Sequence, residues 1–519
     1  MATRTDSSRL YEDICRAYGT DKLHGHQEYV PNDVLESMVT ANSICNELCR
    51  KPKGWVFEAL FAEGARRNIT ERVLCSDSRK VFLVLVLLDL SWDMEKLLDA
   101  GLTDSDLPLV KDGHIFKSES DSSRKFTLPK EWSSQIVDQF LDKQWRVLAP
   151  VFSASGGHRT FDPRHPLPFE KINDNHKIGA RSVVYHAQIR RSHWKASKVS
   201  FFFLRILFRQ RLICQTESPS CEVILKEFLN RYKEDFEAER ENLVSIRLLE
   251  NNEHITQYLE TFSQGDRSYI IFPIAKGGDL EDFWETHRSE TRNPRLALWC
   301  LEQMRGLAEG LQVLHDFLKQ NANCRHGDLK PGNILHFLTN GSDGTLKIAD
   351  FGISRIHNEA TFQRQGKPTT TKSTTPSYEA PEASSDKARS RKYDIWSMGC
   401  IFLEFTVWLV HGWEAVQQFN SARTSKTPRQ GEGTSWAHFY QGTGATAVVH
   451  PEVFQTLAKL KCVPQSAPGT ALGELLDTVE NHMLKVDVDA RFTACQLSNS
   501  LGDIVSKARS DGTYLFNCG

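Results

Sequence analysis

The 519-residue sequence is informative first in what it lacks. No charge of one sign is in excess: 64 Lys and Arg stand against 66 Asp and Glu, a formal net charge of -2. Such a balance gives no global electrostatic case for nucleic acid or an anionic membrane, and neither partner is expected. Long apolar runs are missing too. Val81 to Leu88 is closed by Asp89 and Phe201 to Phe208 is broken by Arg205, short of the roughly 20 apolar residues that span a bilayer. The stretch from Met1 to Leu10 is polar and carries Arg4, Asp6 and Arg9, so it has no apolar core of a signal peptide. The 12 Cys form no repeated framework and no matched C-x-x-C pairs, which predicts reduced thiols in a cytoplasmic chain, with the nucleus as the second location. Asn68-Ile69-Thr70 and Asn340-Gly341-Ser342 match glycosylation acceptors, but without a secretory route they read as chance.

The length exceeds one ordinary core, and two to three domains are expected. Up to about residue 150 the pattern is helical: Tyr11, Ile14, Cys15 and Tyr18 share a face, as do Phe57, Leu60 and Phe61, and then Ile136, Phe140, Leu141 and Trp145. Polar turns at Gly101 to Asp104 and Ser118 to Arg124 separate them. No catalytic constellation stands in this part, which reads as an accessory domain for packing or for a protein partner. A Gly-, Pro- and His-rich stretch follows it.

The chemistry is concentrated in His326-Gly327-Asp328-Leu329-Lys330-Pro331-Gly332-Asn333-Ile334-Leu335. Asp328, Lys330 and Asn333 lie between the apolar anchors Leu329, Ile334 and Leu335, so a loop pinned by those anchors can aim all three into one cleft. An Asp can orient a hydroxyl and accept its proton, a Lys can neutralise phosphoryl charge, and an Asn carbonyl can ligate Mg²⁺. Further on stand Leu346-Lys347-Ile348-Ala349-Asp350-Phe351-Gly352 and Ala380-Pro381-Glu382.

In this order the three motifs resemble those of eukaryotic protein kinases of the Ser/Thr type: the catalytic loop, the D-F-G that holds Mg²⁺ and the A-P-E that closes the activation segment. The resemblance covers about residues 170 to 505. It implies an α+β, bilobal protein-kinase fold, with an antiparallel β small lobe and a helical large lobe, preceded by a mainly α-helical domain. The expected limits are 1–152 for the accessory domain, 153–168 for a linker, 169–507 for the kinase domain and 508–519 for a tail. Segments from filamentous fungi that precede kinase-like domains are similar to Arg79–Leu85 and Gln144–Phe152.

The resemblance also assigns residues. Asp328 would be the catalytic base and Lys330 would steady the γ-phosphate, while Asn333 and Asp350 would hold Mg²⁺. Ile178-Gly179-Ala180-Arg181-Ser182-Val183-Val184 looks like a shortened glycine loop, with Ile178, Gly179 and Val184 near ATP. Lys226 would grip the α- and β-phosphates and Glu239 would pair with it; the spacing of Phe236, Glu239 and Leu243 puts that Glu on an inward helical face. Phe272 would back the adenine pocket, Ala275 would meet the adenine edge, and Asp279 would reach the ribose. Glu382, Asp394 and Arg491 would be structural, Asp394 bracing the loop and Arg491 pairing with Glu382. The implied reaction moves the ATP γ-phosphoryl to Ser or Thr of a protein. The alternative is a pseudokinase that serves as a binding module, since the glycine loop keeps a single glycine.

Gly327 stands where the family has Arg, so no cation is there to answer a phosphate in the Thr369–Thr375 run. Activity independent of such phosphorylation is the expectation. The interval from Gly179 to Lys226 is too long for two strands and a turn, and 199–215 is apolar and basic. It reads either as a translated retained intron or as a family-specific loop or strand. Asn420 to Gly444, rich in Ser, Thr and Gly, reads as a surface insertion.

Overall fold

The computed structural model describes the chain apart from residues 1–8, 24, 26, 51–60, 113–114, 173–176, 179–181, 196–219, 249–251, 289–292, 317–324, 339–342, 352–375, 385–389, 425–435 and 516–519. Gly179, Gly352, the 199–215 stretch, the Thr369–Thr375 run and the middle of the Asn420–Gly444 stretch therefore lie outside the described residues.

The small lobe is one sheet. Its strands run in the order His158–Phe161, Glu260–Gln264, Arg267–Pro273, Ser220–Leu229, Ser182–Arg190 and Phe169–Ile172, and the short Lys177–Ile178 also pairs with Ser182–Arg190. Every pair is antiparallel except the first, which is parallel. Residues 153–168, expected as a linker, thus contribute an edge strand. In Ser220–Leu229 the period of two decides which side chains meet which face. Cys221, Val223 and Leu225 enter an aromatic core with Phe152, Phe169 and Phe262, and Lys226 points to the opposite, cleft-side face.

The large lobe is helical. Pro294–Asp316, Lys392–His411, Ala471–Thr478 and Ala494–Ser510 share one core, and the hairpin Ile334–Phe337 with Thr345–Ile348 lies at the cleft. Lys392–His411 is long and apolar enough by composition to cross a membrane, yet 94% of its apolar window is buried in this lobe. Its apolarity all round is that of a core helix.

Before the sheet lies a separate core running from Leu10 to Val147, built on helices such as Ala41–Leu48, Arg79–Leu87 and Ser134–Lys143. Arg79–Leu87 starts against Asp104, whose carboxylate accepts from Lys80 N and Val81 N at 2.9 and 3.0 Å. Helix is not all that is here. Leu109–Asp112, Ile115–Ser118 and Lys125–Phe126 form a three-stranded antiparallel sheet. Their alternation is too short to stand out in the sequence: Leu109, Phe116 and Phe126 are its buried positions. Cys221 is disulfide-bonded, with a partner outside the described residues, so the expectation of reduced thiols throughout does not hold there; the other described cysteines are free.

The N-terminal part is tied to the small lobe by polar contacts. Arg190 meets Asp33 at 2.8 Å and Glu170 at 3.1 Å. His193 is fully buried; its Nε2 accepts from Asn32 N at 3.1 Å and its Nδ1 donates to Pro150 O at 3.0 Å. Burial pushes this imidazole down to about 4, so it stands neutral.

Candidate active site

The cleft between the lobes collects the motif residues from both sides. On the small-lobe side, Lys226 Nζ donates to both oxygens of Glu239, at 2.8 and 2.9 Å, and to Asp350 Oδ1 at 3.0 Å. Glu239 comes from the helix Lys233–Arg247, where Phe236, Leu243 and Ile246 bury the same side. Burial would push Lys226 down, but the charges of Asp350 and Glu239 outweigh it and raise it, so it stands as an ammonium ion. Burial pushes Glu239 up and the Lys226 charge opposes that. A buried carboxylate at 2% exposure without this partner would be costly.

On the large-lobe side a short loop does the gathering. Lys330 Nζ donates to Asp328 Oδ2 at 2.9 Å, and Asn333 Nδ2 donates to Asp328 O at 2.7 Å and to Asp328 Oδ2 at 3.2 Å. Leu329 and Ile334 anchor the loop in the core. The backbone is held from below, because Asp394 accepts from His326 N at 2.8 Å and Gly327 N at 2.9 Å, and from His315 Nε2 at 2.9 Å. Burial raises Asp394, but the hydrogen bond and charge of His315 prevail and lower it. Gly327 has φ 84, a conformation that costs a glycine nothing and strains an Arg or any other L residue.

The two sides meet at Asp350, whose φ is 63. It is half exposed, and Lys226 occupies one of its oxygens. Phe351 is buried and packs on the ring of His326 at 5.3 Å. Glu382 is joined to Arg491 by two bonds of 2.8 Å, and Arg491 also donates to Lys485 O and Lys392 O.

Val184, Phe272 and Ile178 belong to the sheet that carries Lys226, and Ala275 and Asp279 follow its strand Arg267–Pro273. Val184 faces Lys226 across the sheet and Phe272 faces Ile224, while Ile178 is described in its pairing with Val183. Ala275 O accepts from Gly278 N at 3.1 Å in the turn between the lobes. Asp279 caps the helix Leu280–Thr286, its Oδ1 accepting from Glu281 N and Asp282 N, so that oxygen is committed to structure.

Three supporting side chains escaped the sequence reading. Asn242, one turn beyond Glu239, donates to Phe351 O at 3.2 Å. His326 Nε2 donates to Ala349 O at 2.9 Å and its Nδ1 accepts from Asp328 N at 3.3 Å, which fixes its tautomer. His315 reaches Asp394 from another helix. His326 heads the loop motif and could have been singled out; nothing local marks Asn242 or His315.

The donor set fits a magnesium nucleotide. Among the described residues no group of three or more His, Cys, Asp or Glu gathers for a metal. Half-exposed Asp350 and the carbonyl oxygen of Asn333 are what remain, and Mg²⁺ is commonly held by one or two carboxylates together with phosphates and water.

A two-lobed fold whose cleft joins a Lys–Glu pair to two Asp and an Asn defines a class, the ATP-dependent phosphotransferases of protein-kinase type. The protein kinase domain family matches residues 212–501. The chain belongs to that family. Among curated relatives, it is 31% identical over 209 residues to the serine/threonine-protein kinase Nek1 of Mus musculus, covering 39% of this chain and 16% of the relative. It is 30% identical over 193 residues to calcium/calmodulin-dependent protein kinase type 1 of Macrobrachium nipponense, covering 37% of this chain and 50% of the relative. A calcium/calmodulin-dependent protein kinase of Metarhizium anisopliae is 28% identical over 201 residues, covering 37% and 46%. The chain therefore spans half or less of these relatives.

Proposed function

We propose that this chain transfers the γ-phosphoryl group of Mg-ATP to a Ser or Thr hydroxyl of a protein substrate. The observation that carries the reading is the junction at Asp350, where Lys226, itself held by Glu239, comes within 3.0 Å of the D-F-G carboxylate. Bound Mg²⁺ would supply charge neutralisation between the phosphate oxygens, held by Asp350 and Asn333. Asp328 orients the acceptor hydroxyl and takes its proton. Lys330, beside it, steadies the γ-phosphate, and Lys226 the α- and β-phosphates. In this reading Val184, Phe272 and Ala275 would meet the adenine and Asp279 would meet the ribose, while Gly179, expected beside them, lies outside the described residues. Arg491 keeps Glu382, and with it the end of the activation segment, in place.

Gly327 suits activity without activation-loop phosphorylation, because no cation stands at that position. The core from Leu10 to Val147 serves as an accessory domain for a protein partner, while the kinase domain, expected at 169–507, takes in the edge strand His158–Phe161 and runs on through Ala508 and Leu515 of its core, so the expected tail does not begin at 508. The chain acts in the cytoplasm or nucleus, and relatives from Metarhizium anisopliae and Emericella nidulans support placing it among fungal kinases.

The test is transfer of labelled γ-phosphate from Mg-ATP to casein or to the chain itself, followed by phosphoamino-acid analysis. Label on Ser or Thr that is lost in Asp328→Asn supports the proposal. No label from a folded wild-type chain whose stability nevertheless responds to Mg-ATP would favour the binding module instead.

A further inference from the structure

The helix that carries Glu239 is gripped from outside the family-matched stretch. That stretch begins at residue 212, whereas Ala154, Gly156 and His158, which meet the helix, precede it. At the C-terminal end of the helix, Arg247 donates through Nη1 to Tyr258 O at 2.8 Å and through Nη2 to Ala154 O at 2.6 Å. Gly156, with φ 75, fits under that guanidinium, and a Cβ there would lie 2.4 Å from Arg247 Nε. Near the N-terminal end, the ring of His158 packs on Phe236 at 5.9 Å. Phe236 and Arg247 are roughly three helical turns apart, so residues 152–161 run beside most of the helix.

The segment is itself firmly fixed. Gly156 N donates to Leu259 O at 2.8 Å, Thr261 N donates to Gly157 O at 3.0 Å, and His158–Phe161 adds a parallel edge strand beside Glu260–Gln264. Glu260 accepts from Ser153 N at 2.7 Å and pairs with Arg159 at 2.5 Å. The same helix presents Glu239 to Lys226 and Asn242 to Phe351. Any slide or rotation that withdraws Glu239 must therefore break the Arg247 bonds to a sheet-anchored backbone, and a packed, hydrogen-bonded contact resists such displacement.

We propose that residues 152–161 are a strap that positions Glu239 for catalysis, with Arg247 as the positioning residue that couples the two. The proposal rests on the phosphotransfer reading above for its catalytic consequence, though not for the coupling itself. It makes a segment that reads like a linker part of the working catalytic unit.

The test uses the full chain with Arg247→Ala, Arg247→Lys, Gly156→Ala, Glu239→Gln and the Arg247→Ala/Glu239→Gln double variant. Hydrogen exchange of the backbone amides of 233–247 should quicken about tenfold in Arg247→Ala and in Gly156→Ala, while Pro294–Asp316 keeps its protection. The kcat/KM for ATP should fall about tenfold in Arg247→Ala when Glu239 is present, and by less than about twofold when Glu239 is already Gln, because the two act as one unit. Arg247→Lys should recover part of the loss. Unchanged exchange in the helix, or an equal fall in both backgrounds, overturns the strap. A wild-type chain that neither transfers phosphate nor responds to Mg-ATP sinks the functional reading, and the exchange comparison then decides the strap alone. Should Arg247→Ala fail to fold, Gly156→Ala and Arg247→Lys carry the same comparison.

Discussion

The two sides of the cleft are assembled by different means. Asp328, Lys330 and Asn333 come from one loop, and their mutual bonds span no more than five positions. Lys226, Glu239 and Asp350 come from a strand, a helix and a distant turn, up to 124 positions apart. The loop is fixed by its own side-chain bonds and apolar anchors, with Asp394 bracing its backbone from 67–68 positions away. The Lys226 cluster has geometry only as good as the packing of the Glu239 helix, and that packing draws on residues well before the family-matched stretch. The contrast teaches where each kind of substitution should act: in the loop on rate, in the frame on stability.

The largest effect should come from breaking the loop without touching the frame. Asp328→Asn keeps the shape and the bond to Lys330 geometrically feasible but removes the base, and single-turnover transfer should slow about 10³-fold, or ~4 kcal/mol of barrier. Its urea-unfolding midpoint should stay close to that of the wild type. A slowing of less than about tenfold would mean that the loop is not the reacting centre.

Breaking the frame of the large lobe should do the opposite. Arg491 is fully buried, and its loss leaves Glu382 without the partner that meets both its oxygens. Arg491→Ala should cost about 3–4 kcal/mol of unfolding free energy. A loss under about 1 kcal/mol would show that the A-P-E end is held by other contacts.

The joint between the N-terminal core and the small lobe should answer to acid through His193. Its imidazole is held near 4, against an ordinary value of 6.5. Above 6.5 the folded and unfolded states both carry it neutral. As pH falls from 6.5 towards 4 the unfolded chain takes up a proton that the folded chain refuses, so stability drops, by up to about 3 kcal/mol. Asp104 pulls the other way, because burial raises it to about 6 and stability rises as that group protonates between about 6 and its ordinary 3.8. The informative quantity is thus the difference between wild type and His193→Gln at pH 7 and pH 5, measured by urea unfolding. It should shrink by about 2 kcal/mol at the lower pH; a constant difference would remove His193 from the account.

The smallest effect should come from the surface. Arg509→Ala removes an exposed pair with Glu302 at 2.7 Å and should change stability by no more than about 0.5 kcal/mol. A larger loss would mean that the frame of the large lobe extends to its rim.

The same contrast explains what was legible in the sequence. The loop could be read because its chemistry is a matter of spacing: Asp328, Lys330 and Asn333, between apolar anchors, lie close enough in the chain to reach one another. The Lys226–Glu239 pair was legible in part, since the period of Phe236, Glu239 and Leu243 puts that carboxylate inward, but the choice of Lys226 among neighbouring lysines leaned on family resemblance. Residues 153–168 look like a linker by composition, and no local pattern announces a parallel partner at Thr261 some hundred residues later. The sheet of Leu109, Phe116 and Phe126 stayed hidden because strands this short give the alternation too few positions to register. Asn242 and His315 act through a carbonyl and a carboxylate brought to them by tertiary packing, which no motif records.

The central claim is that the two sides form one magnesium-nucleotide site at Asp350. Its most direct test is the unfolding midpoint of the full chain with and without Mg-ATP, beside Asp350→Ala. A ligand of the folded state at a hundredfold excess over its Kd stabilises by about 2.7 kcal/mol. The account predicts a magnesium-dependent rise in the wild type that disappears in the variant. A cooperative wild-type transition unmoved by millimolar Mg-ATP, or an equal rise in both proteins, would contradict it.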